Sequence, residues 1–375
     1  MRMFGIGLGG AGGAVLDSIF SSLEGFPAFV DAVIFNTAVS DKAKLKRLVD
    51  RFFLFGDFGG AGVGSRWKDS RRAALSPKWS SMFREVLSRR NLPESSAALL
   101  AAALGGGTGS GSLPVVADIV RELYGRADKP VLALGILPFR YPKESMRLAY
   151  NSVLALASSL EHLDSIILVD NDRVGSRFEE EPREEILLRI NEVVADFVRV
   201  LTLPMVRPAG GPLKTSFDVA DLASLVRSGR TSLVVPCYSR FRVEVVGSSL
   251  SFLVQAALDE GPMVEFSGSA KKAAVIFAGP EQSLTPDAIL EAKETLAEAS
   301  GSVDVRGAAA VLESKYVEAA VLLVDPKIPR IEELVDQASL FYDIHEDELS
   351  TLEDTDRSEF EGYLRALQGA LMSRS

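Results

Sequence analysis

The sequence predicts an α/β protein with a Rossmann-like parallel-sheet domain first, a long central helix, and a smaller C-terminal mixed α/β domain. Three observations predict it. Up to Val169, short apolar runs alternate with apolar residues at helical spacing, the pattern of strands buried on both faces between helices. Two of those runs end in glycine-rich loops that lead into helices, an arrangement suited to binding phosphate. From Pro182 a single apolar stripe, Ile186, Ile190, Val193, Val194, Phe197, Val198 and Leu201, then follows one long helix.

In chain order, Met3–Leu8 reads as a strand whose glycines lead into a helix carrying Val15, Leu16, Ile19, Phe20 and Leu23. Residues 32–35 form a second strand ending at Asn36, and residues 97–104 a third, ending in the densest glycine cluster of the chain. Pro114 is expected to open the next helix, because a proline's missing N–H costs least in the first turn. Val131–Leu137 and residues 165–169 are two more buried strands. Past the long helix, a Pro- and Gly-rich loop at 204–212 precedes strands near 232–238, 241–246, 273–277, 308–312 and 319–324. Helices near 250–258 and 286–299 interrupt them. The expected division is 1–181, the connecting helix 182–203, the second domain 204–329, and an acidic surface helix and tail over 330–375.

The composition sets limits on function. With 375 residues, 47% hydrophobic and 25% charged, the chain can bury a sizeable core and has room for two domains. A net charge of −10 argues against nucleic acid as a partner and against an anionic membrane. Cys237 stands alone, which excludes an intramolecular disulfide, and His162 and His345 leave no Cys/His cluster for zinc, so no metal-ligating residues are expected. Glycines interrupt the N-terminal apolar run where a signal peptide needs continuity, and the longest uncharged stretch, residues 95–117, contains five glycines and a proline. A cytoplasmic protein without membrane insertion is expected.

Chemistry concentrates in the two loops. Gly7-Leu8-Gly9-Gly10-Ala11-Gly12 fits the dinucleotide fingerprint, but Asn36 holds the place of the acid that would grip a ribose, which disfavours an NAD oxidoreductase. Gly105 to Gly111 are seven consecutive Gly, Thr or Ser residues. Two such loops at strand ends of one sheet could embrace one polyphosphate, with Thr108 and Ser110 adding hydroxyl donors. No G-x-x-x-x-G-K-[ST] occurs, which argues against a Walker-type NTPase.

The run GGGTGSG at 105–111 resembles the signature loop of the tubulin and FtsZ superfamily of GTPases, and the likeness extends to about Asp325, with details similar to the archaeal tubulin-like CetZ group. The resemblance implies GTP and GDP as ligands, with Mg²⁺ held mainly through the nucleotide phosphates. It implies phosphate contacts from Gly9, Gly10, Ala11, Gly12, Gly13 and Ala14, and from Gly105, Gly106, Gly107, Thr108, Gly109 and Ser110. Asn36 matches the loop after the second strand, where Ala38 replaces the acid of FtsZ and Asp41 follows. Gly62 lies in a third loop, residues 59–64, that resembles the sensor of the terminal phosphate. Glu144 matches the ribose-binding acid with Arg147 a turn beyond, and Asn171 and Asn191 match positions that read guanine through amide donors and acceptors. The alternatives are that Glu144 and Arg147 are a solvated surface pair, Asn171 a turn residue and Asn191 a helix surface residue.

Asp218 and Asp221 match the acids that relatives use to polarise the attacking water, although Ser216 replaces the usual Asn. The same pair reads as a helix cap. From Asn191 to Thr202 a helix rises roughly 16 Å at about 1.5 Å per residue, so these acids should lie far from their own nucleotide. If catalytic, they serve a neighbouring copy, and a head-to-tail contact that does not close builds a filament. The resemblance, with this geometry, implies a self-assembling GTPase of the cytoskeleton whose main partner is itself, and the CetZ likeness implies a role in cell shape; the acidic tail is a candidate site for a further, unknown partner. The alternative is a nucleotide-binding regulator with little hydrolysis or polymerisation. The basic cluster Arg66, Lys68, Arg71 and Arg72, beside the third glycine loop, reads as a solvated helix face, with help in neutralising phosphates as the alternative.

Overall fold

The computed structural model describes residues 2–23, 28–206, 213–215, 217–227, 229–247 and 249–372. The first half runs β1 (Met3–Leu8), α1 (Gly9–Ser22), β2 (Phe29–Asn36), β3 (Phe52–Leu54), α2 (Trp67–Leu75), α3 (Pro77–Arg89), β4 (Ala97–Ala103), α4 (Thr108–Tyr124), β5 (Val131–Leu137), α5 (Met146–Ser159), β6 (Ser165–Asp170), α6 (Asn171–Gly175) and α7 (Arg183–Thr202). The second continues with β7 (Leu213–Thr215), α8 (Val219–Val226), β8 (Ser232–Arg242), α9 (Val243–Val246), α10 (Leu250–Asp259), β9 (Lys272–Gly279), α11 (Pro286–Ser300), β10 (Val305–Val311), β11 (Tyr316–Val324), α12 (Pro329–Leu352) and α13 (Arg357–Met372).

Among the described residues the strands form one eleven-stranded sheet, ordered β3-β2-β1-β4-β5-β6-β8-β11-β9-β10-β7. The strands from β3 to β8 are parallel. Beyond β8 the sheet turns mixed, because β11 lies antiparallel to both β8 and β9. The second half thus extends the first half's sheet through the β6 and β8 pairing of Ser165 with Ser232. Alternation along each strand serves both faces. Ala98, Leu100 and Ala102 of β4 join the core beneath α2 to α5 and α10 to α13, while Ala97, Leu99 and Ala101 join the core that includes α1, α7 and α8.

Two local expectations are corrected. The helix expected to open at Pro114 begins at Thr108 and carries Pro114 inside it. The second glycine loop therefore bends directly into helical backbone, and Pro114 has no N–H for the carbonyl of Ser110. The strand expected at 241–246 divides: β8 continues to Arg242 in register with Tyr316, and Val243–Val246 is a short helix closed by Gly247 at φ 58°. The β-branched run there looked extended, but pairing with β11 ends the strand earlier.

The acidic C-terminal segment folds back. α12 and α13 pack on α5, and Phe360 stacks on Tyr342 at 4.4 Å beside Tyr150, with Leu367 fully buried. The basic cluster on α2 is accordingly no simple solvated face. Lys68 donates to Glu359 at 2.7 Å and to Thr355 Oγ1 at 3.2 Å, and Arg72 reaches the Glu353 carbonyl at 3.3 Å. Arg66 pairs with Asp69 at 2.6 Å. Among the described residues no helix is long and apolar enough to cross a membrane.

Candidate nucleotide site

The glycine loops converge at the carboxyl ends of β1 and β4. Gly9 adopts φ 73°, and a Cβ there would lie 3.1 Å from Gly109 N, so the first and second loops nearly touch. The third loop presses on the second, since a Cβ on Gly107 would meet Val63 at 2.5 Å and the backbone of Arg66 and Ser65 at 3.0 Å. The loop after β2 joins them. Thr37 and Thr108 bring their hydroxyls to 2.6 Å, Gly62 N–H donates to Thr37 O at 3.1 Å, and Val39 N–H donates to Gly60 O at 2.9 Å. Helices α1 and α4 start in these loops with N-cap residues, Leu8 and Gly107, that provide no side-chain cap, so first-turn N–H groups keep their donor capacity for a ligand. Backbone donors, hydroxyls and two positive helix ends in so crowded a cradle fit a polyphosphate.

Asn36, buried, organises this cradle. Its Oδ1 accepts from the N–H groups of Thr37 (2.7 Å) and Ala38 (3.2 Å), and its Nδ2 donates to Asp41 at 3.0 Å. Asp41 leans over the first loop, where a Cβ on Gly10 would stand 2.4 Å from its carboxylate. Ser110 turns inward, its hydroxyl donating to Gly107 O at 3.1 Å and also to Gly106 O. Ser110 thus braces the second loop from within.

The β5 to α5 connection separates Glu144 from Arg147. Glu144 accepts from Phe139 N–H at 3.0 Å and from Arg183 at the start of α7. Burial raises its pKa, against the pull of that N–H and of Arg183. A cleft of about 380 Å³ beside these partners is lined by Phe139, Lys143, Gly175, Glu179, Arg183 and Ile186. A larger one, of about 630 Å³ between α6, β8 and α10, contains no residue of the glycine loops. Arg147 points the other way. Its guanidinium donates to Ser65 O at 3.3 Å and pairs with the buried Glu353.

Asn151 escaped the sequence reading. Fully buried on α5, it donates to Ser65 O at 2.8 Å and Gly105 O at 2.9 Å, linking the second and third loops. An amide within the apolar run of α5 was the available signal. Asn171 opens α6 between Asp170 and Asp172, both tied to the β5 to α5 connection or to α12. The buried Asp170 lies 3.3 Å from the equally buried Arg330, and Arg140 reaches Asp172 at 3.1 Å and Glu333 at 2.9 Å. Burial pushes the Asp170 carboxyl up to about 6 despite Arg330 and Arg140; Arg140 and Lys143 hold Asp172 below its ordinary value against burial. The role of Arg330 here gave no sequence signal, because Asp170 lies 160 residues upstream of it. Asn191 sits partly exposed on α7, and Leu187, 38% exposed, lies one turn before it on the same face.

Asp218 and Asp221 form the N-terminus of α8. Asp218 Oδ1 accepts from Ala220 N–H (2.8 Å) and Asp221 N–H (3.0 Å), while Asp221 Oδ2 accepts from Asp218 N–H at 3.1 Å, a complete capping box. Arg306 holds Asp221 Oδ1 at 2.8 Å. Ser216 lies outside the described residues. Just past α8, Arg227 pairs with Asp164 (3.0 Å) and Asp128 (2.6 Å), residues that precede β6 and β5. α8 therefore lies at the edge where the parallel strands begin, whereas the glycine loops lie where they end. With β4 rising about 3.3 Å per residue, the two edges are roughly 20 Å apart. Among the described residues no group of three or more His, Cys, Asp or Glu side chains is placed to hold a metal ion.

Comparison with known proteins agrees with this fold. The GTPase domain of the tubulin/FtsZ family matches residues 2–176, and the C-terminal domain of tubulin-like CetZ matches residues 243–339. Tubulin-like protein CetZ2 of Haloferax volcanii is 29% identical over 352 residues, 90% of this chain and 94% of its own. CetZ of Pyrococcus abyssi is 28% identical over 302 residues, covering 79% and 77%. The solved GTPγS-bound protofilament of H. volcanii CetZ2 superposes with a TM-score of 0.79 at 28% identity, covering 92% of this chain and 100% of that one. The GDP-bound monomer of CetZ1 from the same organism gives 0.77 at 25% identity, covering 90% and 98%. The chain belongs to the tubulin and FtsZ superfamily, in its CetZ-like group.

Proposed function

We propose that the protein is a cytoplasmic GTPase that assembles head-to-tail into protofilaments and completes its hydrolytic site at the contact between copies. Gly9 to Ala14 and Gly105 to Ser110 hold the phosphates through backbone N–H groups and the Thr108 hydroxyl, with Gly62 of the third loop beside the terminal phosphate. Glu144 takes the ribose hydroxyls; Asn171 and Asn191 read the base edge, with Leu187 offering an apolar face beside it. Mg²⁺ bound together with the nucleotide would supply charge neutralisation at the phosphates, with no side-chain metal ligand needed from this chain. Asp218 and Asp221 of the next copy orient a water and accept its proton as it attacks the terminal phosphorus, releasing phosphate and GDP. Control of cell shape is the physiological role that the family likeness suggests.

The observation carrying this reading is the placement of α8 at the sheet edge opposite the glycine loops. A chain cannot bring both ends of its own sheet to one phosphate, but a head-to-tail neighbour can. The regulator reading has its own observation: Asp218 and Asp221 are engaged in a capping box and Asp221 also in an ion pair with Arg306. Phosphate release over a protein concentration series, with sedimentation of each sample, separates the two. Specific activity should rise with concentration and follow the pelleted fraction. A flat, near-zero rate with tight GTP binding and no pellet identifies the regulator.

A further inference from the structure

We infer that Glu353, at the end of α12, is a positioning residue for the third glycine loop, acting through Arg147, and so ties the C-terminal hairpin to recognition of the terminal phosphate. This rests on the proposed role of that loop. The loop ends at Ser65, a non-glycine residue with φ 62°, a backbone that side-chain-bearing residues rarely adopt. Something must hold it there, and its carbonyl is gripped by Asn151 Nδ2 at 2.8 Å and Arg147 Nε at 3.3 Å. Asn151, on the same helix as Arg147, is fixed by the carbonyl of Gly105 in the second glycine loop.

Arg147 is fixed from elsewhere. Its Nη2 meets the carboxylate of Glu353, which is 2% exposed. A carboxylate so buried requires its cation, so α12 and the arginine must move together. The same turn grips α2, which begins two residues after Ser65. Arg72 donates to Glu353 O, and Lys68 to Thr355 Oγ1, Glu359 and Asp354 O. The exit of the third loop is therefore held on one side by α5 and on the other by the turn between α12 and α13. Arg147, matched by sequence to the nucleotide, stands instead between nucleotide loop and C-terminal segment.

The test is a pair of affinities, for GTPγS and for GDP, on the full chain with its melting temperature measured alongside. Glu353→Gln keeps shape and burial but removes the charge that orients Arg147. GTPγS affinity should fall about five- to tenfold while GDP affinity changes less than twofold. Arg147→Lys, which retains a charge opposite Glu353 but cannot bridge to Ser65, should show the same selective loss with near-wild-type melting, and so serves even if Glu353→Gln folds poorly. Equal loss of both nucleotides, or no loss of either in a folded Arg147→Lys protein, overturns the inference. Wild-type protein that binds neither nucleotide overturns the proposed function instead.

Discussion

Asp218→Asn should leave the protein folded and able to bind GTP, yet slow hydrolysis by about 100-fold or more. The substitution separates two roles that coincide at this residue. Asn caps a helix about as well as Asp, so the Ala220 and Asp221 N–H groups keep their acceptor and α8 stays formed. What disappears is the negative charge that accepts a proton from water. Asp218→Ala removes both roles and should add about 1 kcal/mol of destabilisation from the lost cap. Nucleotide affinity should be unchanged in either variant, because α8 lies at the far edge of the sheet from the glycine loops. Polymer assembled with GTP should persist longer, since its nucleotide is not consumed. Phosphate release, equilibrium binding and polymer lifetime check each part. Loss of turnover in Asp218→Ala but not in Asp218→Asn would show that the residue acts only as a cap.

Gly12→Ala should be severe in a different way. A Cβ at Gly12 would stand 2.1 Å from the carbonyl oxygen of Ala101 and 2.9 Å from its carbon. Those atoms belong to the middle of β4, a central strand paired on both sides, and cannot yield as a flexible side chain can. α1 must lift from the sheet, which should cost about 3 kcal/mol or more and lower the melting temperature by roughly 4 °C or more. Gly106→Ala is the control. Its Cβ would have no neighbour nearer than 3.9 Å, so the fold should be unaffected. Thermal melts of both variants check this, and a Gly12→Ala protein that melts with the wild type would mean that α1 and β4 pack less closely than described.

What the sequence revealed and what it hid follow the reach of each interaction. The strand, glycine loop and helix at Met3–Leu8 and Gly9–Ser22 were legible because period, turn chemistry and helix start all lie within about 20 consecutive residues. The stripe on α7 was legible for the same reason. The start of α4 was misplaced because Pro114 is a local signal for a helix start that the glycine loop overrides. A single sheet joining both halves could not be read, since the pairing of Ser165 with Ser232 is a choice of neighbour rather than a pattern. The candidate site divides likewise. Its loops carry their own motif, but Asn151, Arg330 and Glu353 meet Gly105, Asp170 and Arg147 at separations of 46, 160 and 206 residues in sequence, and resemble core or tail residues until the chain is folded. Arg147 shows the limit of position matching, because its direction is set by Glu353.

The central claim, a hydrolytic site shared between copies, is tested most directly by mixing two inactive proteins. Asp218→Asn keeps its glycine loops and lacks the acid. Gly106→Asp keeps α8 and places a carboxylate at the second glycine loop, where a Cβ meets nothing nearer than 3.9 Å and the charge repels phosphate. Each alone should hydrolyse little GTP. In a one-to-one mixture, contacts that present the loops of the first to the Asp218 of the second should restore activity to about a quarter of the wild-type rate, the share expected for random head-to-tail pairing. A mixture no faster than the sum of its parts, in samples that still co-sediment, would contradict a site completed in trans.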